Sequence, residues 1–183
     1  IGIGDEIICQ SLTYWASALP AMNLGATIVF ADINPYSLTL EPEDVRQKIT
    51  DRTKAIVVVH HFGYPADMDP IMDIARKHGL MVVEDAAQSI GSKYKDRLSG
   101  SFGHVGCFST HPLKNLNACG DGGFITTNDE KIYSGARALR NHGISDRNNI
   151  NQYIDFVPGG GLPNIKKALE AARNLLDQTN SKG

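Results

Sequence analysis

The 183-residue chain has no long apolar run, no block of one charge and no paired-cysteine motif, and each absence removes a class of function. Its longest apolar stretches, such as Ala55-Ile56-Val57-Val58-Val59, are strand length, against the ~20 residues a membrane-spanning helix needs. Eighteen Lys and Arg nearly balance twenty Asp and Glu and are scattered, so the formal charge of -2 offers no electrostatic footprint for nucleic acid or an anionic membrane. The expected partners are small molecules. Cys9, Cys107 and Cys119 form no CxxC pair, which argues against a disulfide framework or zinc ribbon and favours a reducing, cytoplasmic setting. Six histidines show no HExxH or other ligand spacing, so no metal is expected. The first residues read as a strand and not as a secretion signal, and without an initiator Met at Ile1 we expect further sequence upstream.

What is present is globular. Hydrophobic residues make up 42% and charged residues 21%, and the apolar runs are short and separated by Gly, Pro, Asn and Asp, so a disordered chain is excluded and one domain is expected. Apolar runs predict strands at 6–9, 27–31, 54–59, 80–83, 106–109 and 123–127. Helical spacing and end signals predict helices at 13–24, 42–49, 67–78 and about 129–141. Continuous apolar strands alternating with helices point to an α/β fold with helices on both faces of a sheet. A polar stretch over 143–152, then Pro158-Gly159-Gly160-Gly161, leads to a last helix with Ile165, Ala168, Leu169, Ala172, Leu175 and Leu176 on one side.

Ligands of open α/β sheets bind beyond the carboxyl ends of the strands, so polar residues directly after apolar runs are the first candidates. Asp85 follows Met81-Val82-Val83-Glu84 and could pair with a cationic ring nitrogen; the plainer alternative is an N-cap for Ala86-Ala87-Gln88. Gln88 lies three residues on. Lys114 follows the run ending at Ser109 and precedes Gly120-Asp121-Gly122-Gly123; its amine could attack an aldehyde when neutral, or it could be an ordinary loop lysine. The Ser109 hydroxyl and glycine amides near Gly122 could meet a phosphate, and Tyr14 or Trp15 could cover a flat ring or simply fill the core. Gly2-Ile3-Gly4 lacks the third glycine of a dinucleotide fingerprint, Gly120-Asp121-Gly122-Gly123 lacks the Lys-Ser/Thr of a P-loop, and Lys114 is in no SxxK arrangement.

In order along the chain stand Gly4-Asp5-Glu6-Ile7-Ile8, Gly25-Ala26-Thr27, Thr53-Lys54-Ala55-Ile56, His61-Phe62-Gly63-Tyr64-Pro65-Ala66-Asp67-Met68, Glu84-Asp85-Ala86-Ala87-Gln88, Phe108-Ser109-Thr110-His111-Pro112-Leu113-Lys114-Asn115-Leu116, Gly120-Asp121-Gly122-Gly123 and Arg140-Asn141-His142-Gly143. Together they resemble the DegT/DnrJ/EryC1/StrS family of sugar aminotransferases, from Ile1 to about Ile144. The resemblance implies the large domain of a fold-type-I pyridoxal-phosphate (PLP) enzyme, with a mixed, mostly parallel sheet between helices. It implies a partial PLP-binding domain over 1–144, a polar connection and helix over 145–183, and a small domain absent.

The same resemblance makes Lys114 the Schiff-base lysine and proton shuttle and Asp85 the partner of the pyridinium nitrogen. It gives Gln88 the 3-hydroxyl region, Ser109 the phosphate, and Tyr14 or Trp15 the ring face. The implied reaction moves an amino group from an amino acid, typically glutamate, to a keto sugar linked to a nucleotide, in a homodimer. Relatives that dehydrate sugars carry His in place of the lysine, so Lys114 favours transfer. A family phosphate loop of Gly-(Thr/Ser)-Ala type would precede Ile1, and Gly159-Gly160-Gly161 stands where the family has Asn and Arg. A non-catalytic remnant is the competing reading.

Overall fold

Residues 1–141 are described by a computed structural model and fall into two units, Ile1–Glu130 and a second beginning at Lys131. The expected connection and helix over 145–183 lie outside the described residues. In the first unit the apolar runs become β1 (Glu6–Gln10), β2 (Thr27–Ala31), β3 (Thr53–Val59) and β4 (Met81–Asp85). There follow a small hairpin of β5 (Lys93–Tyr94) and β6 (Arg97–Leu98), then β7 (Val105–Ser109) and β8 (Gly123–Thr126). Six strands form one sheet in the order β2-β1-β3-β4-β7-β8, parallel throughout except for β8, which runs antiparallel to β7. This is the mixed, mostly parallel sheet that the family resemblance implies, and its inner strands are the unbroken apolar runs.

Period-two alternation divides the core between the two faces of the sheet. Ile8, Ile56, Val58 and Val82 pack with Val45 of α2 (Pro42–Lys48) and with Met68, Ile71 and Ile74 of α3 (Met68–His78). Ile7, Cys9, Ala55 and Val57 form a smaller cluster, flanked by Ala21, Ile28 and Val83. Helix α3 ends where its sequence says it should: Gly79 takes the left-handed conformation, φ 65°, and its amide meets the carbonyls of Ala75 and Arg76. Helix α4 (Glu130–Arg140) is amphipathic and supplies nearly all of the described part of the second unit.

One predicted helix does not form as expected. The segment 13–24 breaks into a 3-10 turn, Trp15–Ser17, and a short helix α1, Leu19–Asn23. Pro20 is the cause: it has no amide hydrogen and its ring clashes with the preceding turn, so it can sit in the first turn of α1 but not inside a longer helix. Tyr14 is consequently extended, φ -79° and ψ 146°, and is not helical. The β5–β6 hairpin is not predicted by any local pattern, since its turn is Lys95-Asp96, with Lys95 at φ 53°, and not an Asn-Gly or Asp-Gly pair.

The carboxyl end of β4 is held by a buried charge. Glu84 is 0% exposed, and its two oxygens accept four hydrogen bonds: from His60 Nε2 (2.9 Å) and the Gly100 amide (2.6 Å) on Oε2, and from the Phe102 (2.7 Å) and Gly103 (2.6 Å) amides on Oε1. His60 Nδ1 accepts the Ala66 amide at 3.1 Å, so the ring proton sits on Nε2 and points at Glu84. Gly100 is required here: its φ is 78°, and a Cβ would lie 2.4 Å from Phe108 Cζ. Burial works to raise the Glu84 carboxyl, but the His60 hydrogen bond and the amides of Gly103 and Gly100 overcome it and hold it below its ordinary value of 4.5.

Because the folded-state value is the lower one, this network stabilises the protein fully above about pH 4.5 and loses its contribution as pH falls through the depressed value. Glu84→Gln puts a donor amide against backbone amides and should cost about 3–5 kcal/mol in urea unfolding at pH 7. It should also flatten the acid limb of the stability–pH curve. A variant that unfolds with the wild-type midpoint and the wild-type acid limb would show that the network carries no stability.

Candidate active site

The strand order reverses between β1 and β3, because the chain leaves β1 for one edge of the sheet and returns from β2 to the other side of β1. Such a switch point opens a crevice at the carboxyl ends of the strands. A cleft of about 450 Å³ lies there, within the first unit. Thr13, Tyr14 and Ala16 come to it from the segment after β1, His61 from the turn after β3, Asp85, Ala87 and Gln88 from the end of β4, Ser109, His111, Leu113 and Lys114 from the end of β7, and Asp121 and Gly122 from the approach to β8. Asp85, Gln88, Ser109, Lys114 and Tyr14 are thus brought together. Trp15 is not among the lining residues; it is 59% exposed, with its ring tilted against that of Tyr14 at 5.1 Å between centroids.

Alternation places Asp85 on the sheet face opposite Glu84, paired with Cys107 of the neighbouring strand β7 and near enough to Cys9, two strands away on β1, to act on its thiol. Both uses considered for Asp85 are compatible with its contacts. Oδ1 accepts the amide of Ala87 at 3.1 Å, as a cap would, while Oδ2 accepts the hydroxyl of Ser17 at 2.6 Å and lies toward the cleft. The Ser17 oxygen also meets Thr13 Oγ1 at 2.7 Å. Since Ser17 gives its proton to Asp85, Thr13 is the donor to Ser17.

Gln88 reaches back to the turn after β3, where its Oε1 accepts the amide of Phe62 at 2.8 Å. Phe62 needs that support: it is a non-glycine residue at φ 51°, 77% exposed, with its ring tilted against His61 at 4.1 Å. With Oε1 engaged, the Gln88 NH2 group remains as donor. Ser109 Oγ accepts the His111 amide at 3.2 Å and keeps its own proton to give. Lys114 is half-buried, in a turn closed by its amide on the His111 carbonyl at 2.8 Å, and its Nζ has no hydrogen-bond or ion-pair partner among the described residues. His111 Nε2 stands 3.7 Å from Asp121 Oδ1.

Sequence reasoning missed Ser17, Thr13, His60, His61 and Gln10. Gln10 is fully buried and ties the ends of β1 and β3 together, accepting the Val59 amide at 3.1 Å and donating to the Leu12 carbonyl at 2.8 Å. Serine, threonine and glutamine near a strand end are too common to single out. The one available signal for Gln10 was a polar side chain ending an apolar strand, the same signal that singled out Asp85.

The match to known proteins agrees with this geometry. The family model described as the DegT/DnrJ/EryC1/StrS aminotransferase family matches residues 1–169. The chain belongs to this family. It is 48% identical over 143 residues to a UDP-N-acetyl-3-dehydro-alpha-D-glucosamine 3-aminotransferase of Acidithiobacillus ferrooxidans, a stretch that is 78% of this chain and 39% of that protein. Its structure matches that of an aminotransferase from Psychrobacter cryohalolentis with a TM-score of 0.78 at 42% identity, covering 87% of this chain and 40% of the other. It also matches NtdA from Bacillus subtilis, solved with bound cofactor PMP, with a TM-score of 0.74 at 30% identity, covering 79% and 32%. The chain therefore spans about two fifths of the length of the first two relatives and about a third of the last.

The cysteines make a chemical prediction. Burial and the adjacent Asp85 charge push the Cys9 thiol up to about 12, and burial with the Asp85 and Glu84 charges raises Cys107. Cys119 is exposed. At pH 8 iodoacetamide should alkylate Cys119 first and leave Cys9 untouched until the protein unfolds, as read by peptide mass spectrometry. Early alkylation of Cys9 would contradict this packing.

Proposed function

We propose that the protein is a PLP-dependent aminotransferase that transfers an amino group from an amino acid, with glutamate as the donor, to a keto sugar carried on a nucleotide. The observation that supports this best is the meeting of the Asp85 carboxylate and a Lys114 amine without a partner among the described residues in one cleft of about 450 Å³, at the switch point of a sheet shared with known aminotransferases. The donor set suits PLP: a carboxylate for a cationic ring nitrogen, an amine for the aldehyde, a hydroxyl donor for the phosphate and an aromatic side chain for the ring face. Bound PLP would supply an electron sink for a carbanion next to nitrogen.

Each residue then has a defined task. Lys114 Nζ would hold the cofactor through its aldehyde and would serve as the base that moves the proton during transfer. Asp85 keeps the ring nitrogen protonated by holding a negative charge beside it. The Gln88 NH2 group, with Oε1 held by the Phe62 amide, would donate to the 3-hydroxyl oxygen. Ser109 donates to the phosphate, and Tyr14 covers the ring face in preference to Trp15, which lies outside the cleft lining. Lys114 also favours amine transfer over sugar dehydration.

Residues 1–144 are read as part of the PLP-binding large domain, with 145–183 leading onward from it. The working protein is a homodimer, and the three free cysteines fit the cytoplasm. In the full-length polypeptide, PLP should give a visible absorbance band that Lys114→Ala abolishes, together with a fall in transfer of at least about 10²–10⁴-fold. Asp85→Asn should leave the bond at Lys114 intact and lower kcat by about 10²-fold. No band with PLP, or sugar turnover without gain of nitrogen from glutamate, would refute the assignment.

A further inference from the structure

We propose that Ser17 is the positioning residue for Asp85: its hydroxyl fixes the carboxylate that faces the cofactor and locks it to the turn that carries Tyr14. The inference rests on the assignment of Asp85 to the ring nitrogen made above. Among the described residues the Asp85 carboxylate accepts two hydrogen bonds, one on each oxygen. The Ala87 amide is two residues away and moves with Asp85. Ser17 is 68 residues away in sequence, and its 2.6 Å bond is the one that fixes the carboxylate against another part of the fold.

The donor is itself oriented. An ionised carboxylate only accepts, so the Ser17 proton is committed to Asp85, and the Thr13 hydroxyl then donates to Ser17, giving a chain polarised from Thr13 through Ser17 to Asp85. The 3-10 turn Trp15–Ser17 has no buried residue and no side-chain cap. Within the turn, Ser17 makes the one side-chain hydrogen bond to the sheet among the described residues. The turn begins directly after Tyr14, so one hydrogen bond sets both the charge proposed for the ring nitrogen and the aromatic side chain proposed for the ring face. Other ionisable groups are close to Asp85, namely Cys107 on the neighbouring strand, Cys9 two strands away, and His61, His111, Lys114 and Asp121 in the cleft lining, but none hydrogen-bonds to its carboxylate.

The test is PLP titration of the full-length apoprotein by fluorescence, with Ser17→Ala, Ser17→Thr, Asp85→Asn and the Ser17→Ala/Asp85→Asn pair, each checked for an unchanged thermal midpoint. Ser17→Ala should weaken PLP binding about tenfold, the loss expected for a hydrogen bond to a charged group, and Ser17→Thr should restore it. In the Asp85→Asn background Ser17→Ala should add nothing, because the group it positions has lost its charge. An equal loss in both backgrounds, or no rescue by a folded Ser17→Thr, would overturn the role of Ser17. If Asp85→Asn weakens PLP binding and Ser17→Ala does not, Ser17 alone is misassigned. Unchanged affinity in Asp85→Asn itself would overturn the ring-nitrogen assignment and the role of Ser17 with it.

Discussion

The buried carboxylate of Glu84 is the constraint on which the site depends. A charge without exposure is tolerated only when its lone pairs are filled, and filling them requires His60 at the end of β3 and the amides of Gly100, Phe102 and Gly103 to converge on one point. That convergence fixes the loop that precedes β7 against the end of β4. The end of β3 is also joined to β4 directly, where the His60 amide donates to the Asp85 carbonyl at 3.1 Å. The strand ends that supply the cleft are thereby set relative to one another before any ligand arrives.

From that fixed end, strand geometry assigns the roles. Adjacent residues of β4 point to opposite faces, so Glu84 serves the structure and Asp85 is released to the cleft. The neighbouring strand β7 sets Cys107 beside Asp85, and the segment beyond β1 brings Ser17 to its carboxylate and Tyr14 to the same cleft. Lys114 arrives from beyond β7 on a short turn, with its amine unclaimed among the described residues. The carboxylate is thus fixed by two neutral donors, while the amine has only its turn to hold it among the described residues, a contrast that suits the roles proposed for them.

Much of the fold was legible because buried parallel strands are written as unbroken apolar runs, and because Gly79 and Pro42 mark helix ends through backbone chemistry. Apolar spacing over 13–24 imitates a helix, while Pro20 forbids one that long. The β5–β6 hairpin was invisible because Lys95-Asp96 carries no strong turn signal. In the site, Asp85 and Lys114 could be picked out by their positions after apolar strands. Ser17 and His60 could not, because their roles come from contacts 68 and 24 residues away in sequence, which no local pattern encodes. The family resemblance supplied roles for single residues that spacing alone left open, and the structure narrowed the aromatic choice by bringing Tyr14 and not Trp15 to the cleft.

The chain carries the carboxyl-end cleft of an aminotransferase-family sheet, in about two fifths of the length of the curated relatives it matches. The central claim is that this cleft holds PLP through Lys114. The most direct measurement is borohydride reduction of the full-length protein loaded with PLP, followed by proteolysis and mass spectrometry to locate the pyridoxyl group. The account predicts the group on the peptide containing Lys114, at one per chain. Its attachment to another lysine, such as Lys93 or Lys95 on the hairpin, or the absence of any stable adduct, would contradict it.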